Sequence, residues 1–205
     1  MNKVYSLIII ITAAYLSGCA ANPVTGKQDF VLLSEEQEIG LGRKAHKQIL
    51  QQYSVYDDPA LQQYVSNIVE ELSAKSHREQ LIFHATVLDS PQVNAFALPG
   101  GYVYITRGIM AYMNSEAELA GVLGHEIGHV TARHGVRQQS SAQVAGLLST
   151  AVAIATGSRE IADATNIAGT ALIRGYGREH ELEADRLGAE YLAKVGYDPE
   201  EMINV

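Results

Sequence analysis

Residues 115–135 form the segment that decides the fold, S-E-A-E-L-A-G-V-L-G-H-E-I-G-H-V-T-A-R-H-G. Ser115, with Glu118 three places later, gives a capping-box pattern, which predicts that a helix begins here. On such a helix His125 and His129 lie on one face because they are four residues apart, with Cβ atoms about 5–6 Å from each other. Both imidazoles can therefore reach one metal ion, as the H-E-x-x-H spacing of zinc sites requires.

The rest of this helix carries two further signals. Gly128 stands inside it, at a cost of about 1 kcal/mol relative to alanine, which indicates that another backbone approaches closely there. We expect the helix to end near Gly135. Arg133 and His134 would then lie in its last turn, where positive charge is favoured, so a structural role is expected for both.

A catalytic zinc ion needs a third protein ligand, and the run E-L-E-A-D at residues 181–185 offers one. Glu181 and Asp185 share a helix face, whereas Glu183 points away from them. If Glu181 binds the metal, Asp185 can accept the free N–H of a ligand imidazole. His180 is a rival ligand, although it is offset by about 100° from Glu181. From spacing alone, a solvated acidic helix face explains the run equally well.

Composition narrows the class of protein. The chain has 205 residues, 47% of them hydrophobic and 19% charged, which suits one packed domain. The net charge of -8 lacks the basic footprint of a nucleic-acid-binding protein, so we expect no nucleic acid partner. One cysteine can form neither an internal disulfide nor a cysteine-rich zinc site. Any metal must therefore be held by histidine and carboxylate.

The N-terminal stretch predicts a signal peptide. Lys3 precedes an uncharged, mostly apolar run over residues 4–16, which is too short for a membrane span of about 20 residues. The run ends in L-S-G-C, which resembles the bacterial lipoprotein processing site. We therefore expect residues 1–18 to be a lipoprotein signal peptide and residues 19–33 a lipidated tether, with lipid on Cys19. An ordinary secretory signal is the alternative.

The residues after Cys19 bear on location. Ala20 and Ala21 follow it. In Gram-negative lipoproteins an aspartate directly after the cysteine resembles an inner-membrane retention signal, and this sequence has no aspartate there. The sequence therefore predicts a protein of the bacterial envelope, anchored by lipid at the outer membrane and facing the periplasm. Stable anchoring of this kind needs more than one acyl chain.

The other patterns predict, in chain order, a helix after Ser34, a helix capped by Asp58 with Pro59 at its first position, a strand within residues 81–88, a hairpin of residues 94–98 and 102–105, an uncharged helix over residues 144–156, and a helix from Arg178 to Val195 that stops at Gly196. The strand and the hairpin predict a small antiparallel sheet. The uncharged segment is too short to span a bilayer. Asp198-Pro199 indicates another helix, so the domain over residues 34–205 is expected to be cut short at its C-terminal side.

Three motifs in this order, N-A-F-A-L-P-G-G at residues 94–101, H-E-I-G-H and E-L-E-A-D, resemble the zinc metallopeptidase family that contains the HtpX heat-shock proteases and the CAAX prenyl proteases. The resemblance covers residues from about 22 to 205. The lipoprotein signal is similar to that of its periplasmic branch. The resemblance implies an α+β fold, a mostly helical zincin-like domain with a small antiparallel sheet or hairpin beside the motif helix.

The resemblance also implies a ligand set. It assigns one Zn²⁺ per chain to His125, His129 and Glu181. It makes Asp185 the residue that hydrogen-bonds the free N–H of a ligand imidazole. Glu126, next to the first ligand, is then expected to be the catalytic general base.

The predicted edge strand at residues 94–98 suggests how substrate binds. Asn94, Ala95 and Phe96 could hydrogen-bond an extended polypeptide by strand addition, which favours unfolded or misassembled proteins as substrates. A purely structural edge is the alternative. The expected function is zinc-dependent endopeptidase activity on misfolded or misassembled envelope proteins, in envelope protein quality control.

Two other functions stay open. One is a zinc-bearing periplasmic chaperone or assembly factor for outer-membrane proteins that cuts rarely and works with the outer-membrane assembly machinery. The other is a zinc ion with a structural role only, held by four protein ligands.

An oxyanion-stabilising group is also expected near the site. Three residues are near enough to Glu181 in sequence to be candidates, although a structural role is expected for each: Tyr176, Arg178 and His180.

Overall fold

The computed structural model of the chain describes residues 19–144 and 176–204. The described residues fall into two compact units, one of residues 19–34 and 135–144 and one of residues 35–134 and 176–204. The predicted uncharged helix lies outside the described residues from position 145 onward. Within the described ranges, no helix combines the length and the apolar character needed to cross a bilayer.

The first unit contains a β-hairpin where the sequence predicted only a tether. Strands β1 (Cys19–Ala21) and β2 (Gln28–Phe30) pair antiparallel. The Asn22 side chain closes the turn by accepting hydrogen bonds from the backbone N–H groups of Val24 and Thr25 at 2.8 and 2.9 Å. Gly26 supplies the left-handed conformation that the turn needs, with φ of 68°. In the same unit, residues 135–144 are helical.

The second unit contains the other elements, which are α1 (Glu35–Gln52), α2 (Pro59–Ser73), β3 (His84–Leu88), β4 (Ala95–Leu98), β5 (Tyr102–Thr106), α3 (Arg107–Met110), α4 (Glu116–Thr131), α5 (Arg178–Val195) and a 3-10 helix (Pro199–Asn204). α2 begins as predicted, since the Asp58 side chain accepts a hydrogen bond from the Leu61 N–H at 3.0 Å and Pro59 follows. α5 also has the predicted bounds and ends at Gly196, whose φ is 95°.

The sheet has the strand order β3-β5-β4. β4 and β5 form the predicted antiparallel hairpin, and Gly100 and Gly101 take positive φ values of 78° and 94° in its turn. β3 pairs parallel with β5, so the sheet is mixed and not wholly antiparallel as predicted. All five residues of β5 are buried, as expected of a central strand.

α4 lies against the sheet and contacts both β4 and β5. The Ser115 hydroxyl accepts a hydrogen bond from the Glu118 N–H at 3.1 Å, as the capping pattern predicts. The Glu118 carboxylate bonds the N–H of Asn114 at 2.5 Å, although a capping box would direct it to Ser115. The architecture is the expected α+β fold, mostly helical, with the small sheet beside the motif helix.

The end of α4 differs from the prediction. The helix stops at Thr131, four residues before Gly135. Arg133 then adopts a left-handed conformation with φ of 58°, which redirects the chain. The buried carboxylate of Glu38 stabilises this turn by accepting a hydrogen bond from Arg133 Nε at 2.8 Å. His134 therefore does not lie in the last turn of the helix.

Candidate active site

The two histidines of the motif helix face each other. His125 and His129 lie one turn apart on α4, and their Nε2 atoms are 2.9 Å apart. His129 is almost fully buried, whereas the side chain of His125 keeps about a fifth of its surface exposed. Burial and the neighbouring imidazoles, His125 first, lower the pKa of His129 to about 2. His129 is therefore neutral, which is the form that binds a metal ion.

Glu181 of α5 completes a group of three potential ligands. Its Oε2 atom lies 3.3 Å from Nε2 of His125 and 3.7 Å from Nε2 of His129. Ligands at 2.0–2.1 Å from a tetrahedral ion are about 3.3–3.4 Å apart, so the spacings of Glu181 fit one zinc-sized ion. The two imidazole nitrogens, 2.9 Å apart, would separate by about half an ångström around such an ion. No other group of this kind occurs in residues 19–144 and 176–204. Two imidazole nitrogens and a carboxylate oxygen are a donor set suited to zinc.

Small residues bring the two helices close enough for this convergence. A Cβ atom on Gly128 of α4 would lie 2.8 Å from the carbonyl oxygen of Ala184 on α5. One turn earlier, Gly124 faces Gly188. The sequence-based expectation of close backbone approach at Gly128 is thus met. Glu181 lies one turn before Ala184 and reaches the imidazoles because of this contact.

Asp185 lies behind the first histidine. Its Oδ1 atom is 2.8 Å from Nδ1 of His125. A carboxylate in this place holds the proton on Nδ1 and leaves Nε2 free to bind a metal ion. The geometry is the one that the spacing of Glu181 and Asp185 predicts.

A different arrangement, which the sequence analysis missed, lies behind the second histidine. Nδ1 of His129 is 2.9 Å from Nδ1 of His134, and Nε2 of His134 is 3.0 Å from a carboxylate oxygen of Glu183. The placing of His134 in a helix end was wrong, and the sequence analysis assigned Glu183 no part in the site because Glu183 lies on a different helix face from Glu181 and Asp185. The turn at Arg133 returns His134 to the site, and this turn left no signal in the sequence.

Two aromatic side chains pack beside these histidines. His180, the rival ligand of the sequence analysis, is not among the three converging groups; it stacks on His134 with ring centroids 4.3 Å apart. Tyr176 stacks on His129 at 4.0 Å. Burial first, and then the carboxylates of Glu126 and Glu181, raise the pKa of Tyr176 above its ordinary value, so its phenol stays a proton donor.

The carboxylate between the motif histidines is buried beside the sheet. Glu126 is 8% exposed, and burial, with a smaller contribution from the charge of Glu181, raises its pKa to about 8. A hydrogen bond from the backbone N–H of Ala97 opposes this shift. A carboxyl group with a pKa near neutrality can both take up and release a proton at physiological pH.

The hydrogen bond from the Ala97 N–H places the outer strand β4 next to Glu126. The N–H of Thr106 donates to the carbonyl oxygen of Asn94 at 3.1 Å, and Asn94 N–H bonds the Thr106 hydroxyl at 3.2 Å. Since hydrogen-bonded pairs alternate along antiparallel strands, the backbone groups of Ala95 and Ala97 point toward the outer edge. Of the three predicted binding residues, Asn94 and Phe96 thus have backbones directed at β5, and the Phe96 ring stacks on Tyr104.

Comparison with known proteins gives a consistent result. The model of peptidase family M48 matches residues 59–205. The beta-barrel assembly-enhancing protease of Escherichia coli is 30% identical over 98% of this chain and 44% of its own length. A Vibrio cholerae protein is 35% identical over 96% of this chain and 43% of its own length. The mitochondrial metalloendopeptidase OMA1 of Arabidopsis thaliana is 32% identical over 71% of this chain and 29% of its own length. The chain thus spans less than half the length of these relatives.

Proposed function

Since the chain belongs to peptidase family M48, we propose that it is a zinc-dependent endopeptidase that hydrolyses peptide bonds of misfolded or misassembled envelope proteins. The observation that carries this proposal is the convergence of His125, His129 and Glu181 on a space that fits one ion. These three residues would hold one Zn²⁺ per chain. Three protein ligands would leave one position of a tetrahedral ion for water, as in catalytic zinc sites.

Glu126 is the proposed general base. When bound, zinc lowers the pKa of water to about 7 and polarises the carbonyl group to be attacked. The Glu126 carboxylate takes a proton from the attacking water and passes it to the nitrogen of the leaving amine as the peptide bond breaks. Its burial at 8% exposure excludes competing solvent.

The outer edge of β4 is the proposed binding surface for substrate. Ala95 directs backbone hydrogen-bonding groups outward, and Ala97, which also faces outward, bonds the Glu126 carboxylate. An extended polypeptide that pairs with this edge therefore passes beside Glu126. Backbone pairing reads little of the side-chain sequence, so it suits loosely folded proteins as substrates.

The location of the protein is a further part of the proposal. The E. coli relative is named for beta-barrel assembly, which supports a place in the cell envelope for this chain as well. We place residues 1–18 as a signal peptide, residues 19–33 as a lipidated segment and Cys19 as the lipid-bearing residue at the outer membrane. Assignment to the periplasmic lipoprotein branch of the family that contains the HtpX and CAAX prenyl proteases stays a prediction.

The decisive experiment measures zinc content and casein cleavage together. We expect the wild-type protein to bind one zinc ion and cleave casein, and a chelator to abolish cleavage. Glu126→Gln should keep the zinc and lose about 100- to 10,000-fold in rate. Cleavage by the chelated protein, or by Glu126→Gln at the wild-type rate, would contradict the proposal.

Two cellular tests complete it. If Glu126→Gln fully restores envelope function to cells that lack the protein, the assembly-factor hypothesis replaces proteolysis. Labelled palmitate should enter the wild-type protein and be lost in Cys19→Ala. Equal incorporation by both would remove the lipid anchor from the proposal.

A further inference from the structure

The two motif histidines are supported in different ways. His125 has a direct carboxylate partner, with Nδ1 at 2.8 Å from Asp185. His129 has an imidazole partner, His134, and a carboxylate, Glu183, stands one step further out at 3.0 Å from His134. Both chains of contacts end on acidic residues of α5, the helix that also carries Glu181.

The positions of the protons follow from this geometry. Nε2 of His129 must present its lone pair to bind a metal ion, so the proton of the neutral ring is on Nδ1. That N–H can donate to His134 only if Nδ1 of His134 accepts. The proton of His134 then lies on Nε2, where it faces the Glu183 carboxylate. One tautomer of each ring satisfies every contact in the series.

The packing allows little other arrangement. His134 is fully buried, with 0% exposure, and the side chain of Glu183 is 20% exposed. His180 stacks on one face of the His134 ring, and the edge of His129 meets it at 71°. A buried imidazole whose two nitrogens are both hydrogen-bonded is fixed in orientation, because loss of either partner would leave a buried polar group unsatisfied.

We propose that His134 and Glu183 are positioning residues that fix the tautomer and orientation of His129 for metal binding. The inference rests on the proposed role of His129 as a zinc ligand. It would link the metal to α5 a second time: Glu181 would bind directly, while Glu183, two residues later, acts through His134, which follows the turn at Arg133 after α4. Partners of this kind are worth about 10- to 100-fold in metal affinity.

Paired variants of His134 test the proposal. In His134→Asn the side-chain oxygen replaces Nδ1 as an acceptor for His129, whereas His134→Leu has a similar size and no acceptor. Zinc affinity, measured by competition with a chromophoric chelator, should fall about 10- to 100-fold in His134→Leu and by only a few fold in His134→Asn. The d–d absorption bands of the Co²⁺-substituted protein should shift in the leucine variant alone.

Variants of Glu183 test the same chain of contacts with less risk to folding, because the Glu183 side chain is partly exposed whereas His134 is fully buried. Glu183→Gln keeps an acceptor for His134, and Glu183→Leu removes it. Glu179→Leu is the matched control, since Glu179 is exposed on the same helix. We expect weakened zinc binding and altered Co²⁺ bands for Glu183→Leu, near wild-type values for Glu183→Gln, and no change for the control.

The outcomes separate this inference from the proposed function. If the wild-type protein binds no zinc, the proposed function fails and the inference with it. If wild type binds zinc and Glu183→Leu, folded by circular dichroism, binds it equally tightly with unchanged Co²⁺ bands, only the inference is overturned. An equal loss of affinity in the glutamine and leucine variants would also overturn it, because the acceptor would then be irrelevant.

Discussion

Gly128 on α4 packs directly against the backbone of Ala184 on α5. A Cβ atom on Gly128 would lie 2.8 Å from the Ala184 carbonyl oxygen and 3.1 Å from its Cα atom. Backbone atoms cannot rotate out of the way as a flexible side chain can. This contact therefore sets the distance between the helix that carries both motif histidines and the helix that carries Glu181.

Gly128→Ala should consequently separate the two helices and damage the proposed metal site. We expect a loss of about 1–3 kcal/mol in the free energy of unfolding, which exceeds the gain in helix propensity, and weaker zinc binding. Gly40→Ala is the control, because Gly40 lies in α1 and a methyl group added there would have nothing within 4 Å. Urea unfolding and chelator competition measure both effects. Wild-type stability and zinc affinity in Gly128→Ala would refute the argument.

Ala95→Pro should impair substrate binding at the proposed outer edge of β4 without disturbing the proposed zinc site. Proline removes an N–H that faces the outer edge of β4, so the β4–β5 hydrogen bonds remain. The loss of one backbone hydrogen bond predicts a decrease of about 5- to 10-fold in kcat/KM for unfolded casein. Zinc content should be unchanged. Ala95→Val, which keeps the N–H, serves as control, and an equal decrease in both variants would point to the side chain instead.

The local features of the fold could be predicted from the sequence, because they depend on residues that are neighbours in the chain. Asp58 and Ser115 cap their helices as the motifs predict, and Gly196 ends α5. The parallel pairing of β3 with β5 was not predictable in the same way. It depends on how α2 and the sheet pack, and no short pattern records that.

In the candidate site, too, local contacts could be predicted and contacts that depend on the path of the chain could not. Helical spacing alone brings His125 to His129 and Glu181 to Asp185, and the structure has both pairs on one side of their helices. The contact of His134 with Glu183 escaped prediction because it depends on the left-handed turn of Arg133. An arginine seldom adopts that conformation, so nothing in the sequence marked the place.

Tyr197 should stabilise the protein in a pH-dependent manner. The Tyr197 hydroxyl donates to the Glu116 carboxylate at 2.7 Å, and the Tyr64 hydroxyl does so at 2.8 Å. These two hydrogen bonds, that of Tyr197 first, hold the pKa of Glu116 below its ordinary value. The stabilisation is therefore complete at neutral pH and is lost as the pH falls through the lowered pKa of the folded state.

Tyr197→Phe should accordingly cost about 0.5–1 kcal/mol in the free energy of unfolding at pH 7 and clearly less at pH 3. Tyr112→Phe is the control, since the Tyr112 side chain is 73% exposed. Urea titrations at the two pH values measure the difference. A penalty that is the same at both would show that Glu116 ionisation plays no part in it.

Zinc should stabilise the folded protein through Glu181. A ligand that binds only the folded state adds about 2.7 kcal/mol when its free concentration is 100 times Kd. Because Glu181 on α5 converges with two imidazoles of α4, zinc would join the two helices, and chelation should lower the Tm of the wild-type protein. Glu181→Ala should lose most of this difference, whereas Glu179→Ala, exposed on the same helix, should retain it. Thermal unfolding with and without EDTA measures the effect independently of cleavage. A wild-type Tm that does not respond to zinc or EDTA would mean that the convergence of these side chains does not bind the ion.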